Sequence, residues 1–262
     1  MRVPIFQVDA FTTRRFAGNP AAVVPMESFP SDDVLQAIAA ENNLSETAFL
    51  VAEGTDFRLR WFTPTTEVPL CGHATLASAA VVMERLQPGR TQVAFQTKSG
   101  RLTVARAGST YLMDFPARHS VPIPTPAGLA DVLGADPFEV VADAFNYLVL
   151  LENAKVVRDL APDVVAIQQM DRSGLIVTAA GDEGYDFVSR YFAPAKGIPE
   201  DPVTGAAHCA LAPYWATRLG RAQFRAYQAS RRGGEVDCRF AGDRVELRGA
   251  CVFYLEGEVE IG

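Results

Sequence analysis

The chain has 262 residues, of which 48% are apolar and 21% charged, the balance of an ordinary globular protein. That length suits two domains of roughly 130 residues, each able to bury its own core. A net charge of −7 and a pI near 5.1 argue against nucleic acid or an anionic membrane as a partner. A small acidic ligand would therefore need a local cationic or backbone-donor site.

Val3–Val8 reads as a strand, and residues 16–20 as a loop before a second strand over residues 21–24. Ser31 is a plausible N-cap, with Asp32 and Asp33 in the first turn of a helix running to about Asn43. Thr47–Val51 is branched and apolar, and Phe57–Phe62 alternates apolar with charged residues, as half-buried strands do. Gly72–Leu86 carries almost no charge before Glu84, which predicts a helix buried on most sides, ended by Gln87-Pro-Gly89. Strands are predicted over residues 91–97, 101–107 and 110–115, and the Pro-dense stretch 116–128 is the natural linker. Beyond it the plan recurs: a strand at 146–151, a helix near 162–170, strands at 175–179 and 185–191, and a small-residue helix from Gly205 to Arg218. Short strands at 223–228, 235–240, 244–248 and 250–256 follow.

The recurrence is visible residue by residue. Shifted by 130 positions, Arg60, Phe62, Pro64 and Pro69 fall on Arg190, Phe192, Pro194 and Pro199, and Trp61 falls on Tyr191. Cys71 falls on Asp201, Leu44–Val51 takes the place of Gly174–Gly181, and Asn19 corresponds to Asn146 with a small slip. The expected fold is α+β: two pseudo-symmetric halves, residues 1–117 and 128–262, joined by 118–127. Each half is a mostly antiparallel sheet wrapped around a central apolar helix, with the active site expected in the cleft between them.

Several residues can carry chemistry. Both central helices follow Pro/Gly loops, so their first N–H groups and positive dipole ends can receive a carboxylate. Glu46 enters an apolar strand, where the charged carboxylate is disfavoured and proton transfer near neutral pH becomes accessible; a solvated strand end is the plainer alternative. Asp201, beside Glu200 and before Pro202, is either a loop or cap carboxylate or a functional one. Cys71, at a helix start, is a candidate acid/base. A zinc set of Cys71, His73, His208 and Cys209 is conceivable, but its C-x-H and H-C spacings are weak signals. His119 reads as solvated. The four cysteines form no CxxC and no dense framework, which implies reduced thiols. The first residues show no apolar core long enough for a secretory signal, and no run of about 18 apolar residues occurs. A soluble, cytoplasmic protein is expected.

V-D-A-F-T (8–12), G-N-P-A-A-V-V (18–24), N-L-S-E-T-A-F (43–49), E-V-P-L-C-G-H-A-T (67–75) and E-D-P-V-T-G (200–205) together resemble the PhzF-like, phenazine-biosynthesis-like family. That family shares the diaminopimelate epimerase fold, and the resemblance covers essentially the whole chain. It implies a cofactor-independent, metal-free isomerase acting on a small amino or hydroxy carboxylic acid, and a homodimer. The acid/base position matches Glu46, the supporting positions match His73 and Asp201, and substrate-holding positions match Ser45, Gly72, Gly205 and Ala206. Ala206 departs from the serine frequent in PhzF-type sequences, which puts a phenazine substrate in doubt. Cys71 falls where the related epimerases keep one catalytic cysteine, but the second such position is Asp201 here, which disfavours a two-thiol racemase. A one-thiol racemase, epimerase or dehydratase using Cys71, and a non-catalytic binding protein, are the alternative readings.

Overall fold

The computed structural model describes residues 2–261, which divide into two compact units. The first runs through Asp114 and resumes at Arg248; the second is Phe115–Leu247.

In the first unit, β1 (Arg2–Ala10) pairs antiparallel with β2 (Asn19–Met26), and β2 runs parallel to β3 (Glu46–Glu53). The crossover between them is α1 (Asp32–Asn42), ended by Asn43 in the left-handed region. β3 pairs antiparallel with β4 (Asp56–Phe62), which is flanked by the short β5 (Glu67–Val68) and by β6 (Gln92–Thr97), the latter in parallel. Hairpins then add β7 (Gly100–Ala107) and β8 (Thr110–Pro116).

β2 and β3 are buried on both faces, as parallel neighbours with a helix on either side are. Side chains alternate across the sheet, so Ala22, Val24, Phe49 and Val51 meet Leu35 and Ala39 of α1. Ala21, Val23, Glu46 and Ala48 therefore point to the opposite face. There lies α2 (Gly72–Val81), packed against β1, β2 and β3 with every residue from His73 to Val81 buried. The predicted continuation of this helix to Leu86 is instead a π-helical turn, Val82–Leu86. The wider turn keeps Val82 and Met83 in the core while the Glu84 carboxylate accepts the Tyr111 hydroxyl proton.

The second unit repeats the scheme. β9 (Val121–Pro122) pairs with β10 (Glu139–Ala142), β10 with β11 (Asn146–Leu150), and β11 runs parallel to β12 (Gly174–Ala180). Three short helices, α3 (Leu129–Leu133), α4 (Ala154–Asp159) and α5 (Val164–Gln168), cover the face carrying Val149, Leu175 and Val177. β13 (Phe187–Phe192) is antiparallel to β12 and parallel to β14 (Gln223–Gln228), which pairs with β15 (Gly234–Ala241); β16 is Arg244–Gly249. The central helix is α6 (Gly205–Leu219), with Gly220 in the left-handed region at its end. Pro213 inside α6 cannot donate to the carbonyl of Cys209, and the backbone N–H of Arg118 takes that carbonyl at 2.9 Å.

Three expectations are corrected. Residues 118–127 are not an independent linker: β9 sits in them, paired into the second unit's sheet. The second half does not run to the end of the chain, because β17 (Cys251–Glu260) pairs antiparallel with β1 and belongs to the first unit. The repeat also slips by two residues. Phe62 pairs with Thr47 and its counterpart Phe192 pairs with Leu175, which aligns Glu46 with Gly174 rather than Ile176. A slip of two keeps every side chain on its own face, so the duplication survives it. α3, β10 and α4 had no clear sequence signal, being four to six residues long.

Candidate functional site

In the first unit the chemistry gathers at the start of α2. Glu46 is the first residue of β3 and Asn19 the first of β2. Gly18 makes that entry possible: its φ is +66°, and a Cβ there would lie 2.2 Å from the Ala10 carbonyl oxygen. Cys71 is the N-cap residue of α2, in extended conformation and without a side-chain capping bond, and His73 stands in the first turn. All four are buried.

The imidazole of His73 joins the group. Its Nε2 lies 3.3 Å from Oε2 of Glu46. Its Nδ1 lies 3.1 Å from the Asn19 amide nitrogen and 3.4 Å from the Cys71 sulfur. An amide nitrogen can only donate, so Nδ1 accepts and the ring proton sits on Nε2, facing the carboxylate. Burial pushes His73 down to about 3, against a smaller upward pull from the Pro20 carbonyl. The ring is neutral at neutral pH, so it offers the neighbouring Glu46 carboxyl no compensating positive charge.

Ser45 is half-buried in the bend just before β3, and Gly72, the first residue of α2, is partly exposed. The one group of at least three His, Cys, Asp or Glu donors among the described residues is Glu46, Cys71 and His73, whose ligand atoms lie within 4.8 Å of one another. It differs from the Cys71, His73, His208 and Cys209 set that the sequence offers only weakly: His208 and Cys209 belong to α6 of the second unit.

The second unit has its own arrangement at the start of α6. Asp201 is buried; its carboxylate accepts from the Thr204 hydroxyl at 2.6 Å, and its N–H donates to the Tyr191 carbonyl at 3.0 Å. Gln228 of β14 locks this turn, accepting from Thr204 N–H at 2.8 Å and donating to the Asp201 carbonyl at 2.7 Å. Gly205 and Ala206 open α6, the first buried and the second half-buried. His208 is turned away from polar chemistry: Nδ1 meets the Thr204 carbonyl at 2.8 Å, the ring lies near Phe187, and burial pushes its pKa down to about 4. His119 packs edge-on against Phe240.

Sequence reasoning missed Asn19, Thr204 and Gln228 as members of these networks. Asn19 had a signal, its approximate repeat at Asn146. Gln228 had none, because it arrives from a strand 24 residues beyond Thr204.

The sequence profile described as "Phenazine biosynthesis-like protein" matches residues 8–257. The chain belongs to that family. An uncharacterized isomerase of Pseudomonas aeruginosa is 47% identical over the full length of both chains. The phenazine biosynthesis-like domain-containing protein 1 of Mus musculus is 43% identical, covering 98% of this chain and 99% of its own. A crystal structure of a PhzF-family protein from Enterococcus faecalis superposes with a TM-score of 0.96 at 41% identity, covering 99% of this chain and all of the other. A hydroxyproline epimerase from Agrobacterium vitis shares the fold at a TM-score of 0.61 and 11% identity, covering 98% of this chain and 92% of its own. The phenazine biosynthesis-like chain thus has the epimerase-type α+β architecture expected from its sequence. Among the described residues no helix is long and apolar enough to cross a membrane.

Proposed function

We propose that the protein is an isomerase that moves a proton on a small amino or hydroxy carboxylic acid, using Glu46 as the acid/base and no organic cofactor. The observation that carries this reading is the buried Glu46 carboxylate set 3.3 Å from a neutral imidazole at the start of an apolar helix. Membership in a family whose relatives include proteins named isomerases supports the reaction class. Glu46 takes a proton from a carbon activated by a neighbouring carboxyl or conjugated group. It then holds the proton as the carboxylic acid and returns it to another carbon of the same ligand. His73 keeps the carboxylate aimed, and the Asn19 amide fixes the ring's tautomer. Gly72 and Gly205 open the two central helices, whose N–H groups suit a ligand carboxylate, with Ser45 and Ala206 beside them. In the second unit Asp201, held by Thr204 and Gln228, is the matching carboxylate at the start of α6.

Proton NMR in deuterated water over a panel of cyclic and unsaturated amino and hydroxy acids tests the reading. Exchange or migration at one carbon in wild type, absent in Glu46→Gln, is expected. Near-normal exchange in that variant would sink the assignment of Glu46, and the carbon that exchanges would identify the substrate class.

A second reading rests on the 3.4 Å separation of the Cys71 sulfur and His73 Nδ1. A thiol beside an accepting nitrogen at a helix start suits a one-thiol racemase, epimerase or dehydratase. Inactivation by iodoacetamide that tracks labelling of Cys71, together with activity surviving in Glu46→Gln, would favour it.

A further inference from the structure

Glu46, Cys71 and His73 offer an oxygen, a sulfur and a nitrogen donor within 4.8 Å of one another, on residues that are 8%, 6% and 4% exposed. Zinc-class ions sit about 2.0–2.3 Å from such donors, which places tetrahedral ligand atoms roughly 3.3–3.7 Å apart. The Cys71 sulfur and His73 Nδ1 are already at 3.4 Å. Glu46 stands on the other side of the ring, 3.3 Å from Nε2. An ion on Nδ1 would therefore displace the Asn19 amide from that nitrogen and draw the Glu46 carboxylate round by side-chain rotation.

From these contacts we propose that the entrance of α2 is a binding site for a borderline-to-soft divalent cation of the zinc class. Occupancy would withdraw Glu46 and His73 from organic ligands. On binding, the Cys71 S–H bond breaks, its proton passes to solvent and the sulfur pair goes to the metal. One thiolate, one carboxylate and a neutral imidazole balance a charge of about +2, so the buried complex is neutral, avoiding the large desolvation cost of an isolated ion. Three protein donors leave the fourth tetrahedral position open to water or to a ligand carboxylate. The sulfur and nitrogen donors select Zn²⁺ and Cd²⁺ against Mg²⁺ and Ca²⁺.

Titration of the full chain with Cd²⁺, followed through the ultraviolet thiolate-to-cadmium charge-transfer band, tests the site. One equivalent is expected to saturate it, with Zn²⁺ displacing the ion and Mg²⁺ failing to. Cys71→Ser should abolish the band although Cys209, Cys238 and Cys251 remain, and Glu46→Gln should weaken binding at least about tenfold. Circular dichroism verifies that each variant is folded. The cadmium NMR shift of wild type, which reports a single sulfur ligand, answers the question without any substitution. No band at equimolar Cd²⁺, a shift without sulfur, or an undiminished band in Cys71→Ser would overturn the proposal.

Discussion

The entrance of α2 gathers a carboxylate, a thiol and a neutral imidazole around a helix start, whereas the entrance of α6 is closed by a lattice of Asp201, Thr204 and Gln228. Both descend from one repeated plan: Arg60-Trp-Phe in one unit and Arg190-Tyr-Phe in the other lead through a Pro loop into a buried helix. At the place of Glu46 the second unit has Gly174. A Cβ there would meet Asn146 Oδ1 at 2.3 Å and the Tyr191 hydroxyl at 2.4 Å. The second unit has thus filled the space of that carboxylate with a tyrosine hydroxyl that donates to Asn146 at 3.1 Å and accepts from Lys196 at 2.8 Å. A duplicated scaffold can keep its packing while the polar groups on one face diverge, because packing depends on volume and proton transfer on a single functional group.

The largest expected break in this asymmetry is Glu46→Gln, which should lower proton exchange by about 10²–10⁴-fold with the thermal midpoint little changed.

A property common to both units gives the next effect. His73 is held near 3 and His208 near 4, while an unfolded imidazole titrates near 6.5. Between those values the unfolded chain binds protons that the folded chain refuses, so stability is present above about pH 6.5 and is lost as pH falls towards 4. For His208 alone the loss is on the order of 3 kcal/mol. Denaturant midpoints at pH 7, 6 and 5 should fall steadily in wild type and less steeply in His208→Gln; parallel slopes would contradict the assignment.

Gly174→Ala should cost roughly 2–4 kcal/mol, since the methyl must displace Tyr191 or Asn146 within a packed core. A thermal melt unchanged by this substitution would mean that the space is not filled as described.

The paired arginines give a finer test. Arg60 meets Glu67 through two bonds of 2.8 Å and the exposed Asp32 at 2.9 Å, and Arg190 meets Glu200 at 2.7 and 2.9 Å. Arg190 also donates to the carbonyls of Val157, Arg158 and Leu160 at 3.3, 3.4 and 2.5 Å. Arg190→Met should therefore cost about 2–3 kcal/mol and Arg60→Met about 1 kcal/mol, measured by chemical denaturation. Equal costs would show that the extra carbonyl bonds contribute nothing. The smallest effect is expected from Tyr191→Phe, which removes the bonds to Asn146 and Lys196 and should cost about 0.5–1.5 kcal/mol while leaving exchange at Glu46 intact.

Much of this was legible before any coordinates. The two apolar helices, their Pro loops and most strands followed from periodicity and turn residues, and the motifs around Glu46, His73 and Asp201 carried the family. What stayed hidden has a common cause in long-range geometry. β17 could not be assigned to the first unit because nothing in residues 251–260 says that they pair with residues 2–10. The two-residue slip between repeats preserves the alternation of faces, so no hydrophobic pattern registers it. Gln228 gives no local sign of closing a helix start.

The sequence by itself determined the α+β class, the duplication and the residues able to transfer a proton, because these depend on residue type, spacing and local propensity. Only the tertiary structure decided that Asn19, Glu46, Cys71 and His73 meet around one ring and that Gly174 stands where a second carboxylate would be. It alone neutralised two histidines by burial. Those outcomes depend on which strands lie side by side and which face a helix covers, and the chain settles that only when distant segments pair.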